Sequence, residues 1–221
     1  MNQQAGPNIA MSLLATHAFI SRGLEVSRES GRRFLEQRAT PEDSRDGFGD
    51  YTHTLSSILH AHHLGEDEVV FPYMKKVLPD VPYDKLSADH RVIEPLLTDI
   101  GEASGTFKSG DDGPLGKMLS SLDTLEELWY PHIHIEESNF TIQLLGELIE
   151  PAEHARLLEK IAEFSMQNSG PDYLVVPFML YDLDPEPRAM MAAALPPVVT
   201  EQLIPVAWKD RWAPMKPYLL D

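Results

Sequence analysis

The sequence predicts an all-α fold, an up-down-up-down four-helix bundle with an additional Pro-rich, partly helical C-terminal segment. Three observations lead there. Apolar residues recur at steps of three and four over long stretches, the signature of helices with one buried face. Turn-rich stretches interrupt these runs at helix-sized intervals. A four-residue spacing, His-x-x-x-Glu, occurs three times, at His62/Glu66, His90/Glu94 and His132/Glu136, each time inside such a run. The bundle and a short fifth helix are assigned to residues 1–168, and an extension packed on the bundle to residues 169–221.

The first helix is expected over about residues 8–38, because Ile9, Leu13, Leu14, Ile20 and Leu24 fall on one face, with His17 among them. The turn-rich run from Thr40 to Gly47 separates it from a second helix through Leu55, Ile58, Leu59, His62, Glu66, Val69 and Val70. Pro72, Pro79 and Pro82 are read as its end. A third helix carries Leu86, His90, Ile93, Glu94, Leu97 and Ile100, and is expected to stop where Gly, Ser and Asp accumulate between Gly101 and Gly116. The fourth carries Leu119, Leu122, Leu125, Leu128, Trp129, His132, Glu136, Phe140 and Leu144. Pro95 and Pro131 stand inside the third and fourth helices, where each removes one backbone donor and can bend the rod. A fifth helix is expected from about Pro151 to Met166. From Pro171 on come nine of the 18 prolines, together with Trp208 and Trp212 and a small helix from about Arg188 to Leu195. That stretch is too apolar for a disordered tail and is expected to pack on the bundle, as a cap or a self-association surface.

Four residues along a helix is a rotation of roughly 40° and a rise of about 6 Å, so each His and its Glu share a face one turn apart. The intervals from His17 to His62, His90 and His132 are 45, 28 and 42 residues, each long enough for one helix, one turn and a return to mid-helix depth. In a four-helix bundle such positions converge on the axis, where metal sites are built. Carboxylates in an apolar axis are costly unless a cation compensates them. The candidate metal ligands are therefore His17, His62, Glu66, His90, Glu94, His132 and Glu136, with solvent the alternative for Glu94 because Pro95 follows it. Of the runs Glu66-Asp67-Glu68 and Glu136-Glu137, one member each is expected on the axis and the others in solvent. His53, His60, His63, His134 and His154 are assigned to the surface or to supporting positions, and Tyr51, Tyr73 and Tyr130 to structural roles.

Composition narrows the function. A net charge of −17 and a pI near 4.8 argue against nucleic acid and against an anionic membrane as partners. With no cysteine, disulfides, thiolate ligands and a Cys nucleophile are excluded. No stretch approaches the length of a membrane span, and residues 1–10 lack the pattern of a secretory signal, so a cytoplasmic location is the expectation.

His17, then His62-x-x-x-Glu66, then Asp89-His90, then His132-x-x-x-Glu136-Glu137 resembles the hemerythrin-like (HHE cation-binding) family over roughly residues 8–150. The run from His62 to Pro72 is similar to the second-helix pattern of bacterial members. The resemblance implies a four-helix bundle around a non-haem di-iron centre, oxo- or hydroxo-bridged. By that analogy Glu66 and Glu136 bridge the irons, and His17, His62, His90 and His132 are terminal ligands. Oxygen-carrying members place a second histidine four residues after the first on the third helix, where this chain has Glu94. That departure favours reaction with, or sensing of, O2, NO or peroxide over simple carriage of O2. A weak catalase-like activity would fit, and the alternative is an iron-storage or iron-sensing module without catalysis. The expected partner is the small ligand, with a homo-oligomer or a partner protein engaging the C-terminal segment.

Overall fold

Helix formation follows the apolar periodicity, and the caps set where it starts. In the computed structural model, which describes residues 8–40 and 43–220, Asn8 accepts from the Ala10 amide at 2.9 Å and opens α1 (Ile9–Leu35). Ser44 does the same for α2 (Arg45–Gly65), accepting from the Gly47 amide at 3.0 Å. The second rod then passes through a π-helical turn, Glu66–Val70, and continues as α3 (Phe71–Val77). α4 (Tyr83–Lys108) and α5 (Leu115–Asn139) complete the four long rods. They are followed by α6 (Ile142–Leu148), α7 (Pro151–Asn168), α8 (Asp172–Tyr181) and α9 (Pro185–Ala194). A π-helical stretch Val199–Ala207, α10 (Lys209–Trp212) and a 3-10 segment Ala213–Tyr218 close the chain.

The long rods pack in the cyclic order α1, α2, α4, α5. Ile9, Phe71, Tyr83 and Phe140 meet at one end in a smaller apolar cluster, and Phe34, Phe48 and Phe107 meet at the other, so the rods alternate in direction. The all-α, up-down bundle follows directly. Between the two apolar clusters lies a buried polar layer of histidines and glutamates. It sits towards the end where α1 and α4 begin and α2 and α5 end, rather than at mid-helix depth: His62 is three residues before the end of α2.

Three boundaries differ from expectation. Pro72 does not stop the second helix, because it occupies the first turn of α3, where a missing N–H costs least. α4 runs through Gly101 and Gly105 to Lys108, since Ser104 and Phe107 are fully buried and Ser104 Oγ bonds Thr52 Oγ1 at 2.7 Å. Packing there outweighs the poor helix propensity of glycine. The fourth rod ends at Phe140, and Leu144 belongs to α6, which Thr141 caps. Pro95 and Pro131 lie inside α4 and α5 on solvent-exposed faces.

The segment after Pro171 packs on the bundle. Leu174, Phe178, Ile204, Trp212, Met215 and Tyr218 belong to the same apolar cluster as Phe19, Leu24 and Leu55 of α1 and α2. The contact is close enough that a Cβ on Gly47 would fall 1.8 Å from the Pro214 carbonyl oxygen. Tyr218 donates to the Ser44 carbonyl at 2.8 Å, tying the segment to the start of α2. Among the described residues no single helix is long and apolar enough to cross a membrane. α9 and Val199–Ala207 pass that test only as a pair bent by 106°.

Candidate metal centre

Each rod delivers its histidine to the polar layer through the spacing that its apolar neighbours impose. His17, His90, His132, Glu66 and Glu136 are each at most 4% exposed, and His62 lies at the border of the buried class. Their inner atoms converge. His62 Nε2 stands 3.4 Å from Glu66 Oε1, and His90 Nε2 stands 3.4 Å from Glu66 Oε2. Symmetrically, His17 Nε2 is 3.2 Å from Glu136 Oε2 and His132 Nε2 is 3.6 Å from Glu136 Oε1. Each carboxylate thus gives one oxygen to each of two imidazole pairs, His17/His62 and His90/His132. Both groups of four, with the two glutamates common to them, have all their donor atoms within 4.8 Å of one another.

The outer nitrogens are held by other carboxylates. His17 Nδ1 donates to Glu137 Oε1 at 2.9 Å and His90 Nδ1 to Asp67 Oδ2 at 3.0 Å, while His132 Nδ1 faces Asp89 Oδ2 at 3.6 Å. Such carboxylate partners fix the tautomer with the proton on Nδ1 and leave Nε2 as a free donor, as they do around metal-binding histidines. Ser87 Oγ in turn bonds Asp67. Above this layer Trp129, fully buried, sets its indole edge-on to His17 with ring centres 5.4 Å apart and donates from Nε1 to Ser21 Oγ at 2.9 Å.

Whether a cation suits these residues is decided by the atoms left over. His17 Nε2, His62 Nε2, Glu66 Oε2 and both oxygens of Glu136 are buried without a hydrogen-bond partner. His90 Nε2 and His132 Nε2 stand 3.2 Å apart, with only each other as hydrogen-bond partner. Unpaired buried carboxylates are unfavourable by several kcal/mol in protein alone. Donors about 2.1 Å from one ion and at right angles are roughly 3 Å apart, close to the separations seen. The residues fit a cation of the N/O-binding kind.

Protonation equilibria reflect the same tension. Burial pushes the Glu66 carboxyl well above its ordinary range, and Glu136 and Asp67 push in the same direction. Burial, then the neighbouring imidazoles, holds His62 and His63 well below the usual histidine value. Burial also pulls on His17, but Glu136 and Glu137 outweigh it and raise the pKa.

Glu94 is not brought to this centre. Its side chain is 45% exposed and pairs with His60 Nδ1 at 2.7 Å on the outside of α2 and α4. The inner face of α4 one turn beyond His90 is taken by Ile93 and Leu97, both buried, which leaves Glu94 on the flank. One other expectation is corrected. Asp67 and Glu137 are not merely solvated but support His90 and His17. Of the surface and the supporting positions open to His63 and His154, both take the supporting one and are buried. His63 stacks on His90 with ring centres 4.1 Å apart, and a donor atom from each of His63, His90 and His132 lies within 4.8 Å of the others. His154 is a structural clamp: Nδ1 accepts from the Ile9 amide at 3.2 Å and Nε2 donates to the Leu145 carbonyl at 3.1 Å. Tyr51 belongs to the apolar cluster around Phe178, Tyr73 packs on the smaller cluster, and Tyr130 is exposed. The missed pair has a legible spacing, since His63 and Asp67 are also four residues apart.

Fold and donor set together define a helical-bundle protein with a buried His/carboxylate site for cations. The hemerythrin HHE cation-binding domain model matches residues 12–141, more than half the chain, and the chain belongs to that family. No curated protein and no solved structure matches it.

Proposed function

We propose that the chain is a non-haem di-iron protein that binds or reacts with O2, NO or peroxide, in sensing or detoxification. One observation carries this reading: Glu66 and Glu136 are each divided between two imidazole pairs, which is the arrangement of two carboxylate bridges between two ions. Each ion position then has two imidazoles and two carboxylate oxygens. An iron held there by about four such donors would keep room for exogenous ligands, a pattern associated with O2 chemistry.

Iron would supply the redox chemistry and the affinity for small diatomic or peroxidic ligands. The residues supply the rest. Glu137 and Asp67 keep His17 and His90 in one tautomer, Trp129 and Phe71 exclude water from two sides, and the sharing of the glutamates fixes the separation of the ions. Glu94 on the surface leaves the His90/His132 position short of the imidazole that oxygen carriers have on the third helix, which supports reaction or sensing over reversible carriage. The test is iron content per chain together with the visible spectrum before and after O2, peroxide and NO. About two irons and a ligand-dependent charge-transfer band are expected of a carboxylate-bridged pair. Iron uptake without any spectral response to the three ligands would leave storage or iron sensing as the function.

A further inference from the structure

A cavity of about 100 Å3 reaches the polar layer, with His62 and Glu66 as the ionisable residues of its lining, at its floor. Its walls are apolar, formed by Leu13 and Phe19 of α1, Ile58 of α2, and Ile161, Val175 and Met179 of α7 and α8. Its polar lining apart from the floor is confined to uncharged hydroxyls such as Thr16, Ser165 and Ser169. Elsewhere around the centre two buried rings lie against the histidines. Trp129 lies edge-on to His17, and Phe71 stacks on His90 with centres 5.7 Å apart.

One side of the wall is built by residues outside the family domain. That domain ends at 141, whereas Ile161, Ser165, Ser169, Val175 and Met179 come from α7, α8 and the turn between them. Those elements convert one face of a common bundle into an apolar recess ending at a polar floor. A dry, apolar cavity of about 150 Å3 in another protein takes up benzene; this one is smaller but open at its mouth, so a single-ring or short-chain guest fits with part of it in the opening. A hydrated ion or a charged metabolite would have to shed water here with no charged wall residue to replace it.

We propose that this recess binds a small uncharged apolar organic molecule, of the size of toluene or a short alkane, directly against the His62/Glu66 side of the centre. This deepens the di-iron reading by naming a second ligand of the same site, and it rests on that reading for the contact with iron. The recess itself is made by protein atoms alone and is present without metal.

The experiment is titration of toluene into the full chain, metal-free and iron-loaded, followed by ligand-observed NMR, with the absorption spectrum recorded for the loaded form and iron content measured separately. Saturable binding to both forms is expected, with a change in the spectrum of the loaded form. Filling the recess by Ser165→Phe or Val175→Phe should weaken binding by roughly tenfold or more while iron content is retained. Absence of toluene binding from both forms of the wild type overturns the proposal, and so does binding undiminished in the folded variants. If one variant fails to fold, the other and the wild-type titration decide. Toluene binding by a chain that takes up no iron keeps the recess and removes the iron reading. Iron uptake without toluene binding does the reverse.

Discussion

The carboxylates of the polar layer are not equivalent, and substitution separates them. Glu66→Leu should abolish metal uptake, yet make the metal-free chain more stable by about 1–3 kcal/mol, because a buried, unpartnered carboxyl is replaced by packing. Glu94→Gln, on the surface, should leave metal content unchanged. Metal analysis and urea unfolding of the metal-free proteins read both effects. A second buried acid lies away from the centre. Asp182 is pushed up to about 7, first by burial, and is only partly offset by Tyr51 and by Arg22, whose Nε donates to it at 3.1 Å. A carboxyl raised in the fold contributes stability that is complete below its unfolded pKa of 3.8 and is lost as pH rises towards 7. Asp182→Asn should therefore gain on the wild type between pH 5 and pH 8, by about 2.5 kcal/mol, in unfolding curves at the two pH values. Spacing made His17, His62, Glu66, His90, His132 and Glu136 legible because a helix repeats faithfully over one turn. The partners of Asp67, Glu137 and His63 were not, since a side chain on the flank of one helix finds its partner on another, and only the packing decides which. Glu94 failed for the same reason.

At the level of elements, apolar periodicity announced the rods but not their ends. Gly101 and Gly105 looked like a stop and are overruled by Ser104 and Phe107, whose burial depends on α2 lying alongside. Pro72 looked like a terminator and serves as a first-turn residue. The π-turn Glu66–Val70 adds a residue to the rod directly after the ligand pair, and nothing in its composition reveals it. Close approach of elements is the most stringent demand on the sequence. Gly47 has room for no side chain against Pro214, so Gly47→Ala should displace the 3-10 segment from α2 and lower the melting temperature by about 5 °C or more in calorimetry.

Across the molecule, the bundle and the segment after Pro171 share one apolar cluster, in which Phe178 rests on Tyr51 with ring centres 4.8 Å apart and Tyr218 on Phe48 at 5.7 Å. The full chain is therefore expected to unfold in a single calorimetric transition, and a chain ended at Gly170 to lose that transition, because Tyr51, Leu55 and Phe48 would be left facing water. Composition foretold that this segment would be buried, since its apolar content had to go somewhere. It could not foretell that α7 and α8 would also wall the recess above His62. Trp129 carries one last consequence. Its indole, shielded from water, lies 5.4 to 6.3 Å from the rings of His17, His62, His63 and His132. An emitter so placed is a native optical gauge of the site: its blue-shifted fluorescence would fade as a paramagnetic ion enters and return when a chelator removes it, so filling of the centre can be followed with no added label.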